Sequence, residues 1–317
     1  MKIAVLMDDI KNINPKKDSS LAMMLEASRR SYDIYTFDSN DLFASEGVVY
    51  ANASPTNVTD NLDNWFKKQP NQTMALSEFS VILMRKDPPF NMDYIYATYF
   101  LEQAEKDGVL VVNKAQSLRD ANEKLFALNF ANCMPKTLVS ANLTQINDFI
   151  NVQQTAVVKP LDGMGGTDIF KFNKDDNNIT SIVKRLTNNG IRPIMVQEFL
   201  ADISAGDKRI LLIDGKPIDY CLARIPAKGN FKGNLAAGAT GVGQPLCERD
   251  YYLCAQIAPT LKAKGLMFVG LDVIGDYITE INVTSPTCIR ELDAQFDLNI
   301  AGVLFDAIAL KQLKRLP

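Results

Sequence analysis

Asp272, Glu280 and Asn282, near the end of a 317-residue chain, are the side chains whose types and spacing point most directly to chemistry. Glu280 and Asn282 are two apart in an alternating stretch, so a strand there sends both from one face. Hard carboxylate and amide oxygens suit Mg²⁺ bridging phosphates, with Mn²⁺ as an alternative. Asp272 joins them only under one hairpin register. A two-residue turn at Gly275-Asp276 sets Asp272 opposite Thr279 and away from Glu280, whereas a three-residue loop, Gly275-Asp276-Tyr277, pairs Asp272 with Glu280. The three-residue loop is expected. The plainer alternative is a set of solvated charges on a sheet face.

Upstream, Val157-Val158-Lys159-Pro160-Leu161-Asp162-Gly163-Met164-Gly165-Gly166 reads as an apolar strand ending in a lysine and a glycine turn. Lys159, and Lys124 before it, are compact point charges suited to phosphate oxygens, and Gly163, Gly165 and Gly166 let backbone N–H groups approach an anion. Surface lysines and a hairpin turn are the plain alternatives, and no Walker A loop is present. The strand end at Glu198, Phe199 and Leu200 offers backbone groups to an adenine edge, with Asp207 a ribose partner; by periodicity alone it is a core strand. Arg209 and Arg224 are candidates for stabilising a transferring phosphoryl group, or are ordinary salt-bridge partners. Residues 227–244 hold five of the 17 glycines and are expected to form a mobile lid, with Lys228 and Lys232 its cationic contacts.

Composition narrows the chemistry. There is no histidine, which removes imidazole bases, Ser-His-Asp and Cys-His mechanisms and His-ligated zinc. Five cysteines without C-x-x-C spacing argue against a disulfide framework or a zinc site and point to a reducing cytoplasm. A net charge of -3 without a basic block gives no sign of a nucleic-acid partner, and the N-terminal apolar run is too short for a signal peptide or a membrane span.

Elements to position these residues can be read from periodicity. Strands at 2–7, 33–37, 81–84 and 109–112, with helices at 19–31 behind an Asp18 cap and 93–106, make an α/β, Rossmann-like first part without a G-x-G-x-x-G. A short helix carrying Glu123 and Lys124 opens a small α+β second part, with strands at 137–139, 155–159, 168–172 and 193–200 and helices at 144–151 and 178–188. The remainder has strands at 208–213 and 217–225, a helix from Arg249, a hairpin and a closing helix from Asn299.

Several blocks together carry a family likeness: Met84-Arg85-Lys86-Asp87-Pro88-Pro89-Phe90, Asn122-Glu123-Lys124-Leu125-Phe126, Gly233-Asn234-Leu235-Ala236-Ala237-Gly238 and Glu280-Ile281-Asn282-Val283-Thr284-Ser285-Pro286-Thr287. The chain resembles the bacterial glutathione synthetases, which are ATP-grasp ligases. The resemblance implies an N-terminal Rossmann-like substrate domain (1–121), a central ATP-grasp lid domain (122–201) and a C-terminal catalytic domain (202–317), assembled as a homo-oligomer, a dimer or tetramer.

It implies that γ-glutamylcysteine and glycine are joined at the expense of ATP through an acyl phosphate. Lys124 and Lys159 would then bind the ATP phosphates, Glu198, Phe199 and Leu200 the adenine and Asp207 the ribose. Asp272, Glu280 and Asn282 would hold Mg²⁺, Arg209 and Arg224 would face the reacting phosphate, and Arg85 would meet the dipeptide. Asn282, Ser285 and Thr287 would lie near glycine, and Lys228, Lys232, Gly233 and Gly238 would belong to the lid. The chain departs from the usual pattern at Asp9, where proline is common, and at Lys232, where arginine is familiar. Another ATP-grasp carboxylate–amine ligase, such as a D-alanine ligase, or a non-catalytic ATP-binding regulator on the same scaffold, remains an alternative.

Overall fold

A computed structural model describes residues 1–163 and 165–314; Met164, inside the glycine turn, lies outside the described residues. Three sheets organise the chain. The first contains β1 (Lys2–Leu6), β2 (Asp33–Phe37), β3 (Leu42–Ser45), β4 (Val48–Val58), β5 (Phe66–Lys68), β6 (Gln72–Ala75), β7 (Val81–Met84) and β8 (Leu110–Val112), with α1 (Ser19–Arg29), α2 (Met92–Lys106) and α3 (Ala115–Asp120) between them. β2, β1, β7 and β8 run parallel, and the apolar residues Ile3–Leu6 of β1 are buried, as a strand covered on both faces requires. α1 starts where expected because the Asp18 carboxylate accepts the Leu21 N–H at 2.6 Å. Residues 38–80 carried no expected element, yet β3–β6 extend this sheet with antiparallel strands.

The second sheet is antiparallel, in the order β11-β10-β12-β9, from β9 (Thr137–Ser140), β10 (Thr155–Pro160), β11 (Phe170–Asn173) and β12 (Ile194–Glu198). α4 (Leu143–Gln153) and α5 (Ile179–Leu186) cover it with a core of their own, built from Ile146, Ile150, Val158, Phe172, Val183 and Val196. Glu123 and Lys124 are not helical as expected. Asn122 Oδ1 accepts the N–H groups of Lys124 and Leu125 at 3.1 and 2.9 Å, and that side-chain turn competes with a helical start until the 3₁₀ segment Phe126–Cys133. The strand expected from 168 begins only at Phe170, since Asp168 has φ +55°. Phe199 and Leu200 lie just past β12.

The third sheet, order β15-β14-β13-β16-β17, comprises β13 (Asp207–Ile213), β14 (Lys216–Ile225), β15 (Thr240–Pro245), β16 (Phe268–Ile274) and β17 (Tyr277–Asn282). It packs with α6 (Glu248–Lys264), α7 (Ile289–Phe296) and α8 (Ile300–Leu313); α7 was not expected. The expected loop at 227–244 is only half a loop. Its second half is β15, an edge strand paired with β14, and its glycines permit close approach to Leu222 and Phe296 rather than disorder.

The expected three-residue hairpin loop is also corrected. Ile274 pairs with Tyr277, so the turn has two residues, Gly275 and Asp276. Asp272 nevertheless pairs with Glu280, because the register shifts between Asp272 and Val273: Val273 faces Ile278 and Thr279 is the extra residue of a β-bulge. The bulge undoes the face reversal that the two-residue turn would impose.

Among the described residues no helix is long and apolar enough to cross a membrane.

Candidate active site

Alternation along adjacent strands builds one charged face of the third sheet. Asp207 and Arg209 are two apart on β13, Arg224 lies opposite Asp207 on β14, Asp272 opposite Arg209 on β16, and Glu280 opposite Asp272 on β17, with Asn282 two residues on. Arg209 grips Asp272 with both prongs, Nε–Oδ1 at 2.5 Å and Nη2–Oδ2 at 3.0 Å. Arg224 Nη2 lies 2.6 Å from Asp207 Oδ2 and 3.0 Å from Asp272 Oδ2. Asn282 Nδ2 donates to Asp272 Oδ2 at 3.2 Å. Burial opposes ionisation of Asp272, but Arg209 and Arg224 outweigh it and hold its pKa down at about 2.

Two lysines from the second part of the chain meet this face. Lys124 Nζ bonds Glu280 Oε1 at 3.0 Å and the Gly163 carbonyl at 2.9 Å. Burial would lower its pKa, yet Glu280 outweighs that and the value stands above the usual lysine range. Lys159, at the end of β10, is buried and its Nζ points to the carbonyl of the bulge residue Thr279 at 3.5 Å. Burial dominates there and lowers its pKa, so an ammonium at this spot gains from an incoming anion.

Two cavities share this wall. One is lined by Val157, Lys159, Ile169, Phe231 and Ile274 together with Glu198, Phe199, Leu200 and Asp207, an apolar slot ending at the half-buried segment past β12. Asp207 Oδ1 is buried there without a hydrogen-bond partner, which suits a ligand hydroxyl. The other, about 250 Å³ and therefore ligand-sized rather than water-sized, is lined by Lys124, Gly163, Gly165, Gly166, Arg209, Arg224, Asp272, Glu280, Asn282, Ser285 and Thr287. Ile169, Asn234, Asp272 and Glu280 line both, so the cavities adjoin.

The lid's first half closes over them. Lys232 Nζ donates to the Gly166 carbonyl at 2.8 Å. Gly166 has φ +82° and a Cβ there would meet Asn234 Oδ1 at 2.6 Å, so the glycine turn and the lid touch in a way no side chain permits. Gly233 lines the apolar slot, and a Cβ would meet the Cβ of Asp207 at 2.5 Å. Lys228 and Gly238 are exposed and line neither cavity.

Arg85 is placed behind the wall rather than on it. Its Nη2 donates to the Pro286 carbonyl at 2.8 Å and its Nε to Ser20 Oγ at 3.0 Å, so it braces the loop that carries Ser285 and Thr287. The wall residues that had been given no role include Asn234, Thr284 and Glu123. Thr284 Oγ1 donates to Glu123 Oε1 at 2.6 Å, and burial first, then the nearby Glu280, push the Glu123 pKa up to about 7. Only adjacency to Lys124 in the sequence hinted at Glu123.

The residues fit a hard divalent cation. Among the described residues no three acidic, cysteine or histidine side chains converge on one point. Mg²⁺ does not require that, since it commonly takes one or two carboxylates and completes its shell with water and substrate phosphates. Asp272, Glu280 and Asn282 supply that partial set facing a cavity that also holds Lys124.

The family description "Prokaryotic glutathione synthetase, N-terminal domain" matches residues 1–119, and "Prokaryotic glutathione synthetase, ATP-grasp domain" matches residues 123–297. Curated relatives include the glutathione synthetases of Vibrio cholerae serotype O1, 54% identical over 97% of both chains, and of Escherichia coli K12, 52% identical over 97% of this chain and 98% of that one. That of Pseudomonas aeruginosa is 50% identical over 99% of each. Among solved structures, the D-cycloserine synthetase DcsG superposes with a TM-score of 0.67 at 15% identity, covering 98% of this chain and 99% of that one. The ATP-grasp ligase PsnB, complexed with a phosphomimetic precursor variant, Mg and ADP, gives 0.65 at 17% identity, covering 98% of both. At such identities the structural likeness speaks for the fold alone. Full-length identity above one half is a different matter, and by it this chain belongs to the prokaryotic glutathione synthetase family of ATP-grasp ligases.

Proposed function

We propose that the chain joins γ-glutamylcysteine to glycine with ATP, releasing glutathione, ADP and phosphate, and that the charged face of the third sheet carries the reaction. The observation that carries this reading is that an apolar, hydroxyl-accepting slot lined by Lys159 adjoins a cavity whose wall holds Lys124, two arginines and the Asp272–Glu280–Asn282 set. Adenine lies in the slot against Glu198, Phe199 and Leu200, with Asp207 toward the ribose. Lys124 and Lys159 take the phosphates beside Gly163, Gly165 and Gly166.

The cysteinyl carboxylate attacks the terminal phosphorus, the bond to ADP breaks, and an acyl phosphate forms. The glycine amine adds to its carbonyl, and collapse of the tetrahedral intermediate expels phosphate, whose oxygens take up the proton the amine loses. Arg209 and Arg224 stabilise the charge on the transferring phosphoryl group and on the tetrahedral oxygen. Mg²⁺, or Mn²⁺, held by Asp272, Glu280 and Asn282, supplies charge neutralisation between phosphates when bound. Ser285, Thr287 and Asn282 orient the acceptor, Arg85 holds their loop toward the dipeptide, and the lid from Lys228 through Lys232 and Gly233 to Gly238 excludes water from the acyl phosphate.

Domain limits of 1–121, 122–201 and 202–317 are proposed, one sheet to each. A cytoplasmic location agrees with five free cysteines, and a homo-oligomer, dimer or tetramer, is proposed for the assembly. A substrate panel tests the activity. Phosphate release that needs both γ-glutamylcysteine and glycine is expected; release with D-alanine alone, or nucleotide binding without product, rejects the reading.

A further inference from the structure

The cavity wall contains four carboxylates, Asp87, Glu123, Asp272 and Glu280. Asp272 is clamped by Arg209 and Arg224, Glu280 is paired with Lys124, and Asp87 is exposed at the mouth. Glu123 differs from all three. It is half-buried, its Oε1 accepts the Thr284 hydroxyl at 2.6 Å, and it takes part in no ion pair among the described residues. Its backbone is fixed as well, because its carbonyl accepts the Ile281 N–H at 2.9 Å, between Glu280 and Asn282.

A half-buried carboxylate without a counter-charge in a wall of satisfied ion pairs is complementary to a cation brought by the ligand. We infer that Glu123 recognises the ammonium group of the amine acceptor and holds it at the reacting end of the cavity.

This rests on the proposed reaction, in which, apart from the divalent cation assigned to Asp272, Glu280 and Asn282, two ligand groups are cationic: the acceptor amine and the α-ammonium of the γ-glutamyl residue. Position separates them. Glu123 adjoins Lys124 and the Thr284–Thr287 loop, beside the phosphate and metal side chains where the carboxylate is activated. The γ-glutamyl α-ammonium belongs at the far end of an extended dipeptide. Glycine is therefore the partner, and Glu123 is a specificity residue for it.

Steady-state kinetics of Glu123→Gln test the assignment. Loss of one charge-assisted contact predicts a glycine KM raised roughly 10- to 100-fold. The KM values for ATP and γ-glutamylcysteine should stay within about twofold, as expected when only acceptor binding is lost. Glu123→Asp, which keeps the charge, should recover part of the loss, and Thr284→Val, which frees the carboxylate, should shift the glycine KM in the same direction by less.

Hydroxylamine, a nucleophile that is uncharged at neutral pH, gives a control that a damaged fold would not mimic. In Glu123→Gln the ratio of hydroxamate to glutathione formed at fixed concentrations should rise. An unchanged glycine KM, a rise in the γ-glutamylcysteine KM instead, or an equal fall in both products overturns the inference. A wild-type protein that forms no glutathione would overturn the proposed reaction itself, which distinguishes the two failures.

Discussion

At the residue scale, the two acidic side chains that face one another across β16 and β17 have opposite dependences. Asp272 is enclosed by two buried guanidiniums, so Asp272→Asn leaves them short of a counter-charge and should cost about 3–5 kcal/mol of stability. Glu280 sits nearer the cavity with one lysine partner, and Glu280→Gln, which leaves the buried Lys124 with the Gly163 carbonyl alone, should cost less, about 1–3 kcal/mol. Its turnover should nonetheless fall by roughly 100-fold or more, with loss of Mg²⁺ dependence. Urea titration beside activity at varied Mg²⁺ separates the pair; a stable, inactive Asp272→Asn would contradict the argument. The spacing of Glu280 and Asn282 was legible because both lie on one strand. Glu123 was not, because its carboxylate acquires meaning only from Thr284, 161 residues away.

At the element scale, helix α1 shows how a local cap and a distant helix combine. Glu26 accepts from Arg29 and Arg30, and Arg30 continues to Asp306 and the Gly302 carbonyl on α8. Arg29, against the cost of burial, and then Arg30 depress Glu26 from its ordinary 4.5 to about 2. A depressed carboxylate contributes stability that is fully present above its unfolded pKa and is lost as pH falls through the folded one. The wild type should therefore lose this part of its stability between about pH 4.5 and 2, and Glu26→Gln should flatten that limb while lowering stability at pH 7 by about 1–3 kcal/mol. Urea midpoints at pH 7 and pH 3 provide the check.

The lid offers a second test at this scale. Lys232→Ala removes the tie to Gly166 and should raise phosphate release relative to glutathione formed, as well as cleavage by protease within residues 227–230. Equal phosphate and glutathione in the variant would dismiss a water-excluding role. Strand limits such as 33–37 and 81–84 were readable from apolar periodicity. β15 was not, since its glycines resemble a loop until Leu222 and Phe296 are seen packed against them.

At the scale of the molecule, the first and third sheets are stitched together while the second keeps its own core. Asn113, just past β8, donates to the carbonyls of Phe268 and Val283 and accepts the Phe268 N–H, so one side chain ties β8 to both β16 and the end of β17. The second sheet is joined to the cavity through few side-chain links: Lys124 to Glu280, Lys159 to Thr279 and Lys232 to Gly166. Nucleotide bound between them should slow hydrogen exchange in β9–β12 more than in β1, β2, β7 and β8. Equal slowing in both sheets would mean that they already move as one.

The bulge at Thr279 carries a rule for how this hairpin can change length. Turn and bulge together keep Glu280 and Asn282 on the cavity side, and removing Thr279 leaves a regular two-residue hairpin in which Asp272 still faces Glu280. Deletion of Thr279 should therefore spare the Asp272–Glu280 pairing and the side on which Asn282 lies, and its cost should fall on Lys159, which loses the carbonyl its ammonium meets.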